Sequence, residues 1–244
     1  ASSDPTLSLV RDRLLLWVED QLRNADESGL YVYVVGHQPM TTKDGRDEMN
    51  TVGKHYLRLK ELFGEYADVI KVGLFGHHNL AFMPPVLSTT YLPIFPSIVA
   101  PGVSPRGRNQ PSFHVVHRSS ETGTILDFTQ YKFNLLDENT AAKLSGQRPY
   151  LGAWDRHSGS LQSWRKISGA NEFTTSSLSE FLHRASLSQS LFFSMEVWRR
   201  AGYIGDETPE SFLCKTLFDR QEALMKCMFP MQNPACWFQD KWIS

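Results

Sequence analysis

The sequence predicts an α/β fold that changes to α+β toward its end. Two stretches with helical periodicity alternate with two short apolar runs, and both runs end in the dipeptide Gly-His. Continuous β-branched runs are typical of strands in a parallel sheet that is covered on both faces. Short strand-like runs separated by Pro- and Gly-rich turns follow after residue 80, and helical periodicity returns from residue 177.

The first helix is predicted over residues 6–25. Its apolar residues recur at three- and four-residue steps, the spacing of one helix face: Leu7, Val10, Leu14, Trp17, Val18 and Leu22. The run Tyr31–Val35 follows as a strand predicted to be buried on both faces, and it ends at Gly36-His37.

A second helix is expected around Tyr56–Phe63, followed by a second buried strand at Val69–Phe75 that ends in Gly76-His77. Active sites of open α/β sheets lie beyond the carboxyl ends of the strands, so any chemistry is expected in the two Gly-His turns. Neutral imidazole is the commonest metal ligand. The sequence therefore makes His37 and His77 candidate metal ligands, while a structural or surface role for each histidine stays open.

The later part of the chain is predicted to form antiparallel or mixed strands and then helices. The strands are expected at Ser88–Tyr91, Ser97–Ala100, Ser112–Val116 and Thr124–Phe128. Residues 137–176 are interpreted as a polar linker, and residues 177–244 as a helical subdomain. His114 and His117 are expected on opposite faces of one strand, so a metal shared by them is not expected.

The order of elements predicts an unpaired sheet edge. A helix that leads into a parallel strand normally comes from a neighbouring strand of the same sheet, yet no strand precedes the first helix here. Native proteins avoid a bare apolar edge. We therefore expect the chain to start in mid-domain and another protein chain to cover the edge.

Composition excludes several classes of protein. The formal net charge is −1 and there is no polybasic patch, which argues against nucleic-acid binding. No apolar run is long enough to span a bilayer. The cysteines Cys214, Cys227 and Cys236 form no Cys-x-x-Cys pair, so they predict no zinc module. One disulfide with an odd thiol and three reduced thiols both remain open, and no Asn-x-Ser/Thr sequon occurs.

Several segments resemble the acid sphingomyelinase-like phosphodiesterases of the calcineurin-like metallophosphoesterase superfamily. The turn Gly36-His37-Gln38-Pro39 matches the family's Gly-His-x-Pro turn, and the segment before it, Leu15–Leu22, is also similar. Phe75–Asn79 is similar to the family's Phe-Gly-His-Thr-His turn, with His78 in place of Thr. Further similar segments lie at residues 100–105, 109–111 and 130–135.

The resemblance implies the second half of a metallophosphoesterase-type sheet sandwich flanked by helices. It places that half at residues 1–136, followed by the linker 137–176 and the appended helical subdomain 177–244. It also implies a disulfide between Cys214 and Cys227, and a site for two zinc ions that hydrolyses a phosphodiester or phosphoanhydride. By match, His37 would ligate one ion and His77 the other, while Asn79 replaces a third ligand. Asparagine is a poor zinc ligand beside imidazole.

The motifs that supply the family's carboxylates have no counterpart in the sequence. These are Asp-x-His, Gly-Asp and Gly-Asn-His, which provide the bridging carboxylate and the acid for the leaving group. We therefore expect no catalytic residue here and no activity of the lone chain. One hypothesis is a degenerate, pseudoenzyme-like interaction subunit without metal. The other is one chain of a split two-zinc phosphodiesterase, active only with its missing N-terminal half. The family resemblance suggests a secreted or lumenal protein, although the absence of sequons weakens this.

Overall fold

The computed structural model describes residues 5–40, 53–105, 109–146, 152, 154–156 and 163–199. These residues form a mixed α/β structure, as the sequence predicted. In chain order the elements are α1 (Pro5–Glu27), β1 (Val32–Val35), α2 (Gly53–Glu65), β2 (Ile70–Phe75), β3 (Pro85–Leu87), β4 (Pro93–Val99), β5 (Ser112–Arg118), β6 (Ile125–Lys132), α3 (Leu135–Ser145), β7 (Asp155–Arg156), α4 (Trp164–Ser168), α5 (Thr175–Leu187) and α6 (Gln189–Arg199).

The first sheet has four strands in the order β1-β2-β4-β3. β1 and β4 both run parallel to β2, while β3 is antiparallel to β4. The register places Val35 beside Leu74 and Phe75 beside Val99. The predicted order of helix, strand, helix and strand is thus confirmed for α1 to β2, with each end within two or three residues of the expected position.

The burial predicted for the first strand is wrong. None of the four residues of β1 is buried, and Val35 is 76% exposed. The reason is its position: within the described residues β1 pairs on one side only, with β2, and so forms the sheet edge. β2 lies inside the sheet, and four of its six residues are buried.

Helix α1 is held by its inner face and by two polar contacts with α2. Leu22 is buried, and Leu15 and Val18 pack against the core cluster. The half-exposed Asp12 contacts Nε2 of the buried His55 of α2 at 3.0 Å, and Glu19 contacts Arg58 at 3.3 Å. Partly exposed pairs contribute little free energy. They mainly fix how α1 lies against α2.

The second sheet is antiparallel, in the order β5-β6-β7. β5 and β6 form a long ribbon that pairs Ser112 with Lys132 and Val116 with Phe128. Its hairpin turn lies against β1, where the Tyr33 hydroxyl donates a hydrogen bond to the Gly123 carbonyl. His114 faces the interior and His117 is exposed, as their spacing predicted.

Two expectations from the sequence do not hold. Residues 88–91 form a turn rather than a strand, because the Ser88 hydroxyl accepts hydrogen bonds from the backbone of Thr90 and Leu92. The strand of this region, β3, ends one residue earlier. The predicted linker contains two helices, α3 and α4. No residue of α3 is buried. The helix therefore needs no apolar face, and its sequence lacks the apolar periodicity by which a helix is predicted.

One buried cluster joins the sheets to the later helices. It runs from Leu62 and Val72 through Phe128 to Trp164 of α4 and Trp198 of α6. The division at residues 136 and 176 stays a prediction, but residues on both sides of 176 share this core. Cys214, Cys227 and Cys236 lie outside the described residues. Among the described helices, none has the length and apolarity to cross a membrane.

Candidate functional site

The two Gly-His turns lie side by side at the carboxyl end of the first sheet. The Gly36 N–H donates to the Leu74 carbonyl at 3.1 Å, and the Gly76 N–H donates to the His37 carbonyl at 2.9 Å. These bonds follow from the parallel pairing of β1 with β2, because neighbouring parallel strands end at the same edge. The structure therefore brings the two turns together, as the sequence led us to expect.

The imidazoles of His37 and His77 are in direct contact. His77 Nδ1 lies 3.2 Å from His37 Nε2, and the two rings meet edge to face at 5.1 Å between centroids. Both residues are exposed. At this distance one of the two nitrogens carries the shared proton while the other accepts it.

The separation of the ring nitrogens also fits a metal ion. Two nitrogens bound to one tetrahedral zinc, each at 2.0–2.1 Å, lie about 3.3 Å apart. Two imidazoles are nevertheless fewer than the three protein ligands that catalytic zinc sites have. No group of three or more His, Cys, Asp or Glu residues within the described ranges is arranged to hold a metal. The acidic residues Asp44, Asp47 and Glu48 lie outside those ranges.

The backbone of the second turn is strained at non-glycine residues. His77 has φ +71° and Asn79 has φ +58°, both in the left-handed region. This conformation costs an L-residue roughly 1 kcal/mol, and such residues cluster at functional sites. Gly36 provides space for the neighbouring side chain, because a Cβ atom there would lie 3.2 Å from the Phe75 ring.

Asn79 is held beneath the loop at residues 100–105. Its backbone carbonyl accepts a hydrogen bond from Gly102 N–H at 3.2 Å, and its Nδ2 donates to the His77 carbonyl at 3.3 Å. A Cβ atom at Gly102 would lie 2.8 Å from Asn79 Oδ1, so the amide oxygen faces this glycine. The structure thus assigns the Asn79 amide a role in holding the turn, and its role as a ligand stays a prediction.

His78 turns inward and supports the exposed ring beside it. The side chain is 5% exposed, and its ring contacts those of His77 and Phe82 at centroid distances of 5.1 and 5.4 Å. Nothing in the sequence indicated this supporting role of His78. No periodicity could have found it, because the direction of the side chain is set by the left-handed residues on either side.

Three segments that the resemblance singled out pack together behind this turn. The Ser112 N–H donates to the Gly102 carbonyl at 3.0 Å, and Asn109 Nδ2 contacts the Ser104 carbonyl at 3.4 Å. On β6, Gln130 Nε2 donates to the Ser112 hydroxyl at 3.2 Å. These bonds connect residues 100–105, 109–111 and 130–135, so the similar segments form one structural unit next to His77.

Comparison with known proteins supports the resemblance. The human cyclic GMP-AMP phosphodiesterase SMPDL3A is 23% identical over 142 residues, which are 55% of this chain and 31% of that protein. Sphingomyelinase phosphodiesterase D of Dictyostelium discoideum is 24% identical over 229 residues, covering 90% of this chain and 48% of that protein. The human acid sphingomyelinase-like phosphodiesterase 3b is 27% identical over 136 residues, covering 50% and 29%.

The chain is similar to the acid sphingomyelinase-like phosphodiesterases over 50–90% of its length, at low identity. No protein-family model matches it. The chain spans between about a quarter and a half of the length of the curated relatives it matches. The relatives therefore support the family, and the activity of a whole family member is a matter for proposal.

Proposed function

We propose that this chain is a binding module derived from an acid sphingomyelinase-like phosphodiesterase domain, and that it does not hydrolyse phosphodiesters alone. Its partner is a polypeptide segment that covers α1 and the free edge of β1. The observation that carries the proposal is an exposed apolar stripe on α1, which lies beside the residues that face the core and widens the apolar face of the helix.

This outer stripe consists of four side chains at steps of three, four and three residues, which place them on one side of the helix. Their exposed fractions are between 45% and 59%: Leu7, Val10, Leu14 and Trp17. The inner stripe of Leu15, Val18 and Leu22 already binds the core. A surface helix normally needs one apolar face, and an exposed apolar patch of large residues is typical of an interaction site.

The edge of β1 offers a second contact beside the turn that carries His37. Its outer backbone N–H and C=O groups have no strand partner within the described chain, and Val35 projects into solvent with 76% exposure. Such an edge accepts an added strand through main-chain hydrogen bonds. A partner that provides both a strand and an apolar face would bury both surfaces.

The site at the strand ends supports binding more than catalysis by the chain alone. Two imidazoles are present, but no described cluster provides the third ligand. A bridging carboxylate matters because two zinc ions with no anion between them repel each other. The proposal therefore assigns no catalytic residue to this chain.

The test is to map the partner by cross-linking. The chain is tagged in its native source, cross-linked, and its cross-linked peptides are identified and quantified by mass spectrometry. We expect Leu14→Asp and Trp17→Ser to reduce cross-links from α1 at least tenfold. Leu144→Asp is the matched control, because Leu144 lies on α3 and is 84% exposed. Equal partner recovery for all three variants would overturn the proposal.

A split phosphodiesterase is the second candidate, and the 3.2 Å separation between His37 Nε2 and His77 Nδ1 favours it. This distance suits two ligands of one zinc ion better than one ligand for each of two ions. A second chain would then bring the carboxylates and the remaining ligands. When bound, zinc would activate a water and neutralise charge on phosphorus. The names of the relatives suggest a phosphodiester substrate, such as a cyclic dinucleotide or sphingomyelin.

The two candidates are separated by the composition and activity of the purified complex. A split enzyme requires a co-purifying chain with Asp-x-His and Gly-Asn-His motifs, about two zinc ions per complex, and hydrolysis of bis-(p-nitrophenyl) phosphate. His37→Ala and His77→Ala should each lower that hydrolysis at least 100-fold, with the exposed His117→Ala as control. If assembly persists in both variants and the complex holds no zinc, the binding module stands and the split enzyme is excluded.

A further inference from the structure

His114 occupies the contact between the β5–β6 ribbon and helix α6. Its ring stacks on Trp198 of α6, with centroids 5.4 Å apart and ring planes within 9° of parallel. The ring also meets Phe128 of β6 at 5.6 Å. Part of the residue remains accessible, but both ring nitrogens are shielded from solvent and have no hydrogen-bond partner among the described residues.

Among the described residues, the groups in direct contact with this imidazole carry no charge. On β6 its direct neighbour in register is Gln130, followed on the same face by Phe128. Lys132 lies at the far end of that face, opposite Ser112, and Trp198 faces the ring from α6. No carboxylate among these groups can pair with a charged ring. A buried cation without a partner is strongly unfavourable, and the Trp198 face offsets only part of that cost.

Helix α6 packs on α5 and meets the β5–β6 ribbon through Trp198. The helix inserts three large side chains into the core, Phe192, Met195 and Trp198, and Trp198 is fully buried. A single residue, Ser188, connects α6 to the preceding helix α5. The described rings of this contact belong to His114, Phe128 and Trp198. Of these three, only the His114 imidazole can gain a charge between neutral and acidic pH.

We propose that His114 is an acid-sensitive latch, which holds α6 against the β5–β6 ribbon while its ring is neutral and releases the helix when the ring is protonated. The mechanism needs only a proton from solvent, which binds a ring nitrogen once α6 has moved away. It is independent of the function proposed above, because none of the latch residues belongs to the His37–His77 site or to the α1 stripe.

The direction of the pH effect follows from burial. Burial lowers the pKa of His114 from 6.5 to about 3. The latched state then binds fewer protons than the open state at every pH between these two values. Stability from this residue is complete above about pH 6.5, falls steadily as the pH decreases toward 3, and falls no further below that.

The experiment measures opening of α6 as a function of pH. Amide hydrogen exchange of residues 189–199 is compared at pH 7.5 and pH 5.0, after correction for the intrinsic exchange rate. We expect the opening equilibrium constant of wild-type α6 to rise about 30-fold between these conditions through His114 alone. His114→Phe keeps an aromatic ring that cannot be protonated, so this rise should vanish. His117→Phe is the matched control, because His117 is an exposed histidine on the same strand.

A rise that persists in His114→Phe, or vanishes equally in His117→Phe, would overturn the latch. If His114→Phe does not fold, the wild-type chain decides the question. Specifically labelled histidine followed by NMR should show the His114 ring neutral down to at least pH 5 in the folded chain. A ring that becomes charged above pH 5 while α6 stays protected from exchange contradicts the proposal.

Discussion

β1 and β2 are neighbouring parallel strands with similar apolar sequences, and both end in a Gly-His turn, yet their surroundings differ. β2 pairs with β1 on one side and β4 on the other, and Val72 within it is fully buried. β1 pairs with β2 only, and Val35 is 76% exposed. The difference shows that an apolar strand sequence reports a capacity for burial, and that its neighbours decide whether the burial takes place.

The same reasoning applies to the exposed apolar residues of β1 and α1, which could be buried by a further neighbour. Val35 of β1 and the outer stripe of α1 are apolar, but the described chain leaves both exposed. Both surfaces lie on the elements that lead into the turn of His37. A partner that completes the core there would also reach the edge of the candidate site, which is why binding and site completion are linked in the proposals above.

The largest expected effect tests burial directly with two identical substitutions. Val72→Ala should lower the free energy of unfolding by about 2 kcal/mol, because it removes buried methyl groups and leaves a cavity. Val35→Ala should change it by less than about 0.5 kcal/mol, as is usual for exposed positions. Urea denaturation followed by circular dichroism measures both. Equal losses in the two variants would show that β1 is covered in solution, for instance by a second copy of the chain.

The second-largest expected effect concerns crowding against the ring of Phe75. This ring lies close to Gly73 in β2 and to Gly36, which directly follows β1. A Cβ atom at Gly73 would come within 2.5 Å of this ring, whereas one at Gly36 would lie at 3.2 Å. Phe75 is 7% exposed and has little room to move. Gly73→Ala should therefore destabilise the fold by about 1.5 kcal/mol, and Gly36→Ala by clearly less.

Thermal unfolding of the two alanine variants checks this order. The control is Gly146→Ala, where nothing lies within 4 Å of the added methyl group but φ is +65°. It separates the effect of backbone conformation from that of crowding. A larger loss at Gly36 than at Gly73 would contradict the packing described for Phe75.

Much of the fold was accessible from the sequence, and the failures have physical causes. The periodicity of α1 and the apolar runs of β1 and β2 identified these elements, because local spacing determines which face can be buried. The order of elements also predicted an unpaired sheet edge, and β1 forms that edge within the described residues. The burial predicted for β1 failed because an apolar run does not encode how many strands pair with it. The turn at residues 88–91 was mistaken for a strand because a serine hydroxyl replaced the sheet partner.

The candidate site was predicted in part. His37 and His77 were singled out because parallel strands bring their carboxyl ends together, and the structure places their rings in contact. The inward direction of His78 and the bond between Asn79 and Gly102 were not accessible. Both depend on left-handed backbone at residues that usually avoid it, a choice made by the surrounding loop and not by the turn sequence alone.

The smallest effect tests whether that left-handed backbone distinguishes the turn after β2 from the turn after β1. Asn79 has φ +58°, and its backbone carbonyl binds Gly102. Asn79→Ala should be less stable than Asn79→Gly by about 1 kcal/mol, because both variants lack the amide and only alanine opposes the left-handed conformation. Differential scanning calorimetry gives the difference. Equal stability of the two variants would mean that the turn relaxes once the amide is removed, so that the amide itself holds His77 in place. A stable Asn79→Gly variant that still binds the partner would instead show that the turn, and not the amide, is what the site requires.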